Sequence, residues 1–333
     1  MIGETAVIIG GGAMGVDFHL PRLSRMCGAG AIHVVDPDPR RLDELRDKFR
    51  DRLDLTLTHE LPADVRYSYA VVATPAKFHG EYVERLSDRC AKLVVEKPIA
   101  RTLAEAEAIV DQFERSDATG FVCHIRRTLE SFRFAKQLVA DGLFGDLQSV
   151  SVREGYMSGK RSASVGAFSR DLSGGGVLLD MGSHTLDLLF QVFDELRLKR
   201  AWVDADVRRS RKAIEANCVL ELEGDAGVAV EVVLSMNRRL SNKAEFRFSR
   251  AVLTLDVADN TLALAMAPGG RRLHGVAGDG HARKMDLDDA FDAFYRQYVS
   301  PGVNDGVSPR DSLKIMRIIE EAYGAASIAE RGF

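Results

Sequence analysis

Short apolar runs and helix-length amphipathic stretches alternate along the first 123 residues. Thr5–Gly10 is β-branched and apolar and ends in glycines, and Ala13–Met26 then places Met14, Phe18, Leu23 and Met26 at roughly helical spacing. Ala31–Asp36 is a second apolar run, followed by the charged helix pattern of Pro39–Arg50. Tyr69–Ala73 and Leu93–Val95 repeat the theme, each with a helix pattern after it, and Thr119–His124 closes the series. Buried strands alternating with helices predict βαβ units and a parallel, doubly wound sheet.

The second half has a different texture. Leu129–Asp141 and Val177–Phe193 read as helices, whereas Lys199–Arg209, Glu215–Glu223, Gly227–Asn237 and Lys243–Pro268 contain long strand-like runs. In 227–237, Val228, Val230, Val232, Leu234 and Met236 alternate with Ala229, Glu231, Val233 and Ser235, as antiparallel strands with one buried face do. A final helix is expected from Ser308-Pro309 to Ala329. The fold class is therefore α/β in the first part, followed by an α+β part on a broad, mostly antiparallel sheet. With few helices left to cover that sheet, its second face is expected to be apolar and to join copies into a homodimer or homotetramer.

Composition narrows the function classes. A length of 333 residues fits two domains, and 46% hydrophobic residues exclude a disordered chain. Forty-five basic against 49 acidic residues, a net charge of −4, argue against a nucleic-acid binder and for a small-molecule partner. Cys27, Cys90, Cys123 and Cys218 form no C-x-x-C pair and read as small buried hydrophobes in a reducing compartment. No apolar run approaches membrane-spanning length. The start, Met1 to Gly15, reads as a first strand rather than a signal peptide, so a cytoplasmic protein is expected.

Gly10, Gly12 and Gly15 form G-x-G-x-x-G after the first strand, with Ala13 and Met14 between the last two glycines. Such a turn lets a pyrophosphate approach the backbone at a helix N-terminus. Asp36 ends the second strand, where a carboxylate accepts hydrogen bonds from the adenosine ribose. Its charge favours NAD over NADP, while Arg40 and Arg41 keep NADP open. The expected domains are 1–123 for the dinucleotide and 124–333 for substrate and oligomer contacts, with helix 309–329 packing back on the first.

Lys97, in Val94-Val95-Glu96-Lys97-Pro98, follows an apolar strand at the end that borders the ligand crevice. Gly174–Gly176 opens a helix on which Asp180, His184 and Asp187 share one face amid Leu178, Leu179, Met181, Leu186, Leu188, Leu189 and Phe190. Titratable groups on so apolar a helix must be paired or line a cavity. Their spacing matches no strong metal motif, and no metal is expected.

These motifs resemble the Gfo/Idh/MocA oxidoreductase family, relatives of glucose–fructose oxidoreductase and inositol dehydrogenase. The resemblance runs over nearly the whole chain, through Gly10–Gly15 with Asp36, Ala73-Thr74-Pro75 with His79, Glu96-Lys97-Pro98, Gly142–Leu147 and Asp180-x-Gly-x-His184-x-x-Asp187. It implies a Rossmann domain and hydride transfer between NAD(H) and a secondary alcohol or ketone of a sugar, cyclitol or sugar derivative. It implies catalytic roles for Lys97, His184 and Asp180, with Lys97 and His184 sharing acid/base work, and support from Asp187. It places Thr74, Pro75, His79, Glu96 and Lys97 with the cofactor, Lys97 touching both substrate and cofactor ribose. Arg127, after the sixth strand, is a further substrate candidate. The polar stretch Gly155–Ser173 should border the mouth of the site, and there Tyr156 and Arg161, with Lys160 and Arg170, make an anionic substrate possible. Two other readings stand beside this one: a reductase of a non-sugar substrate, of dihydrodiol or tetrapyrrole type, and a non-catalytic NAD-binding regulator.

Overall fold

A computed structural model describes residues 4–27, 32–50, 55–157, 169–204, 214–257, 261–266, 272–276, 287–300 and 307–329. Six parallel strands make the first sheet: β1 (Ala6–Ile9), β2 (Ile32–Val35), β3 (Leu55–Thr58), β4 (Tyr67–Val72), β5 (Cys90–Val95) and β6 (Thr119–Val122), in the order β3-β2-β1-β4-β5-β6. Val7, Ile8, Val34, Ala70, Val71 and Val94 are sealed from solvent, which explains their near-continuous apolar runs. The strand order reverses between β1 and β4, so the crevice at their carboxyl ends is the natural ligand position. Helices α1 (Leu20–Cys27), α2 (Pro39–Phe49), α3 (His79–Leu86) and α4 (Leu103–Arg115) connect the strands. Asp38 caps α2 ahead of Pro39, and Thr102 caps α4.

One regular helix over Ala13–Met26 is not what forms. Met14–His19 winds as a π-helix, and α geometry begins only at Leu20. The wider winding turns His19 into the interior, where it has no exposure and two polar partners.

The second sheet has nine strands in the order β14-β13-β12-β11-β7-β10-β9-β8-β15. They are β7 (Leu147–Gly155), β8 (Leu196–Asp204), β9 (Asn217–Gly224), β10 (Ala229–Ser235), β11 (Lys243–Phe248), β12 (Ala251–Asp256), β13 (Thr261–Met266), β14 (Arg272–Val276) and β15 (Ser327–Ala329). Pairing is antiparallel except for β7 with β10 and β8 with β15. Helices α5 (Glu130–Ala140), α6 (Arg170–Ser173), α7 (Val177–Leu189), α8 (Leu287–Phe294) and α9 (Asp311–Ala325) are the remaining described α-helices. α7 packs on β9 and β10, and α9 reaches α4 of the first sheet as well as α7 and β8. The last helix stops at Ala325, short of the expected Ala329, because Ser327–Ala329 pairs with Trp202–Asp204 at the open edge of β8.

The sheet face expected to be apolar is mixed. Arg153–Glu231, Lys199–Glu223 and Arg247–Glu245 pair across it, around a narrow half-buried strip of Trp202, Val219 and Val233 that the register aligns. All four cysteines are buried and free.

Candidate active site

The turn after β1 needs its glycines for stated reasons. Gly10 has φ +104°, and a Cβ there would lie 2.6 Å from the Ala73 carbonyl oxygen. A Cβ on Gly15 would run into the Gly10 carbonyl oxygen. Gly12 differs, since a Cβ there would meet nothing within 4 Å, and this bare backbone faces open space beside exposed Ala13 and Met14. Asp36 accepts from the Gly11 and Asp38 N–H groups at 2.8 and 2.9 Å, which fixes its carboxylate beside the turn. Arg40 is exposed at the start of α2, and Arg41 pairs with Glu44 at 2.7 Å. Pro75 is exposed, and Thr74 Oγ1 is a buried atom with no partner among the described residues. Open glycine backbone, a fixed carboxylate and an orphaned hydroxyl at the strand end fit a dinucleotide.

Lys97 leaves the end of β5 and donates from Nζ to Asp180 Oδ1 at 2.6 Å and to the Asp180 carbonyl at 3.3 Å. The Lys97 charge, outweighing burial, holds the Asp180 carboxyl below its usual range. Burial and then the negative charge of Asp180 push the Tyr156 phenol up to about 12. One turn along α7, burial and then the charges of Lys97 and Arg126 push His184 well below its usual value, so its imidazole is neutral near pH 7. Its Nδ1 has no partner among the described residues. The site therefore gathers an ammonium, a carboxylate, a phenol and a neutral imidazole.

The remaining expected residues sit behind these. Arg127 grips Asp187 with Nε and Nη2 at 2.6–3.0 Å and reaches Asp311 at 3.0 Å, and Asp187 is only 1% exposed. His79 and Glu96, expected on the cofactor groove, are buried beneath it. The His79 ring nitrogens lie 2.9 and 3.0 Å from the Thr74 and Ile99 carbonyls, bracing the loop after β4 against that after Pro98. Arg161 and Lys160 lie outside the described residues, and Arg170 is on α6. The Lys97–Pro98 peptide is cis.

Sequence reasoning missed four groups. Arg126 bonds both Glu154 oxygens at 2.8 Å, Thr185 donates to the same carboxylate, and Arg126 acts electrostatically on Asp180 and His184. The buried His124 ring lies edge-on to His184 at 6.1 Å. Buried Glu215 accepts from the Gly176 and Leu178 N–H groups and from the Tyr323 hydroxyl, capping the helix that carries Asp180 and His184. The fourth, His19, meets Glu96.

Residues 5–124 match the oxidoreductase family model with an NAD-binding Rossmann fold, and residues 132–254 match the GFO/IDH/MocA C-terminal domain. The chain is 23% identical over 327 residues to D-apiose dehydrogenase of Rhizobium rhizogenes, covering 90% of this chain and 89% of that protein. It is 30% identical over 237 residues to inositol 2-dehydrogenase of Acidothermus cellulolyticus, covering 69% and 65%. An Agrobacterium radiobacter oxidoreductase solved with NAD+, L-tartaric acid and magnesium shares the fold at TM-score 0.80 and 20% identity, over 97% of this chain and 96% of that one. Levoglucosan dehydrogenase with NADH and levoglucosan does so at 0.78 and 17%, over 97% of both chains. With both family models matching in order on the two sheets, the chain belongs to the Gfo/Idh/MocA family of NAD(P)-dependent oxidoreductases.

Proposed function

We propose that this protein interconverts a secondary alcohol and a ketone on a neutral, hydroxyl-rich substrate, a sugar or cyclitol, with NAD as cofactor. The 2.6 Å Lys97–Asp180 contact, beside a neutral His184 at the sheet's carboxyl ends, carries this reading. Gly10–Gly15, Asp36, Thr74 and Pro75 would hold the dinucleotide, and the Asp36 charge disfavours a 2′-phosphate. When bound, the nicotinamide supplies the carbon that accepts or gives the hydride.

Lys97 Nζ hydrogen-bonds the reacting oxygen: in reduction its ammonium gives that oxygen a proton, and in oxidation the ammonium first passes a proton to the neutral His184 imidazole and the resulting amine takes the hydroxyl proton. Asp180 holds the ammonium in place, and Tyr156 steadies Asp180. Three cations around the site already face carboxylates: Lys97 with Asp180, Arg126 with Glu154, Arg127 with Asp187. That balance favours hydroxyls over an anion as the recognised groups. Lys97, Asp180 and His184 are the residues proposed to touch substrate, while the sealed Arg127–Asp187 pair holds α7 in the fold. A homo-oligomer joined through the Trp202–Val219–Val233 strip and its flanking charges belongs to the same proposal, and sedimentation showing monomers alone would remove it.

A screen of neutral polyols and sugar acids, read by reduced-nicotinamide absorbance with NAD and NADP in parallel, tests the reading. Turnover of neutral polyols with NAD is expected. Turnover confined to acids, or to NADP, would overturn the respective part, and no turnover at all would sink the whole.

A further inference from the structure

Behind Lys97 lies a buried polar cluster that the reaction as proposed does not use. Glu96 is 6% exposed, and its Oε1 sits 2.9 Å from His19 Nε2 while Oε2 accepts the Lys97 backbone N–H at 3.1 Å. His19 Nδ1 in turn lies 2.7 Å from the Tyr295 hydroxyl. A carboxylate at Nε2 requires a proton there, so in the neutral ring Nδ1 accepts from the phenol, and the chain runs Tyr295 O–H to His19 to Glu96 to the Lys97 peptide. Burial pushes the Glu96 carboxyl up, but the His19 hydrogen bond and the Lys97 charge act against it, and the group lies below its usual range.

The backbone is distorted to build this chain. Among the described residues two segments are π-helical, Met14–His19 and Tyr295–Val299, and one ends on His19 while the other begins on Tyr295. Such winding is rare and clusters at functional sites. The first segment also carries Gly15 of the dinucleotide turn. Phe291 lies edge-on to the His19 ring at 5.1 Å, and Arg22, 4% exposed, donates to Asp292 at 2.5 Å, so α1 and α8 are clamped around the cluster.

We infer that His19, Glu96 and Tyr295 form a positioning relay that links the dinucleotide turn to Lys97 and sets the lysine's reactive geometry. This rests on the reading of Lys97 given above. His19, Glu96 and Cys123 also present three ligand atoms within 4.8 Å of one another. Both His19 nitrogens are already engaged, which favours a hydrogen-bonded relay over a metal centre.

The test is a double-mutant cycle of Tyr295→Phe, which removes one hydroxyl at nearly constant volume, with His19→Gln. Each single change is expected to lower kcat about tenfold, the scale for groups supporting an active-site residue. Substrate KM and the NADH Kd from fluorescence titration should stay close to wild type, and the double variant should be no worse than either single one. A second arm needs no turnover: Lys97 acetylation in the cofactor-free protein, followed by peptide mass spectrometry, should be faster in both variants. ¹⁵N-labelled histidine should report the Nε2-protonated tautomer for His19 in wild type. Additive losses, a fall in Tm with kcat and Lys97 reactivity unchanged, or stoichiometric zinc in the purified protein that His19→Gln releases would each overturn the relay. If the wild type turns over no polyol, the acetylation and ¹⁵N arms alone decide it, so this inference and the proposed reaction fail separately.

Discussion

Two ion pairs on one helix show what separates a reactive pair from a structural one. Lys97–Asp180 and Arg127–Asp187 both close at 2.6 Å, and their carboxylates stand two turns apart on α7. Asp180 is half-exposed and met by one ammonium and one phenol, whereas Asp187 is 1% exposed and gripped through two nitrogens of a guanidinium that Asp311 also holds. The difference lies in solvent access and in the geometry of the cation. A point charge on a flexible stem can hand a proton over, while a planar fork locked on both sides only holds. The open pair should govern rate, and the sealed pair stability.

The largest effect should come from the open side. Lys97→Met removes the proton donor and acceptor, and kcat is expected to fall by roughly 10³-fold, within the range for general acid–base groups. The NADH Kd and Tm should stay near wild type, since the partner left behind, Asp180, can be solvated. Calorimetry showing a large stability loss would place the Lys97 pair in the structural class and break the contrast.

Asp187→Asn is the converse experiment. It leaves Arg127 buried without its main counter-charge, and truncating a buried pair costs about 3–5 kcal/mol. Chemical denaturation should show that loss, with kcat of the folded fraction much less affected. A loss under about 1 kcal/mol, the value for exposed pairs, would mean that Asp187 is not sealed.

Glu215 sharpens the comparison, being a buried carboxylate with no cation on it among the described residues. Burial pushes its carboxyl up, against the hydrogen bonds from Tyr323 and the α7 N-terminus. Glu215→Ala strips acceptors from two buried N–H groups, and about 1–3 kcal/mol of stability should go. Because the helix it caps carries Asp180 and His184, kcat should fall as well.

The same contrast explains what could be read from the chain. Strands β1, β2, β4 and β5 announce themselves through the buried apolar stretches Ala6–Ile9, Val34–Val35, Tyr69–Val72 and Leu93–Val95. β3, with sequence Leu-Thr-Leu-Thr at a half-exposed edge, does not, and β7 hides its alternation among Ser149, Ser151 and Arg153. Lys97, Asp180 and His184 were legible because local spacing sets them at a strand end or on one helix face. His19, Arg126, Glu154 and Glu215 were not, because their partners lie 28 to 276 residues away and a π-helical segment moves His19 off the expected helical register. Pattern reveals faces, but it does not reveal which buried charges meet.

The smallest effect is the open pair's own share of stability. Asp180 has its carboxyl depressed by Lys97, so its contribution is fully present above the unfolded value of about 3.9 and is lost as pH falls through the lower folded value. Half-exposure limits that contribution to under about 1 kcal/mol. Between pH 7 and pH 5 the stability difference between wild type and Asp180→Asn should therefore stay flat and small, and it should narrow only below about pH 4. A gap of several kcal/mol at pH 7 would mean that Asp180 is held as tightly as Asp187. The helix would then carry two structural pairs, and the division of labour between its carboxylates would be wrong.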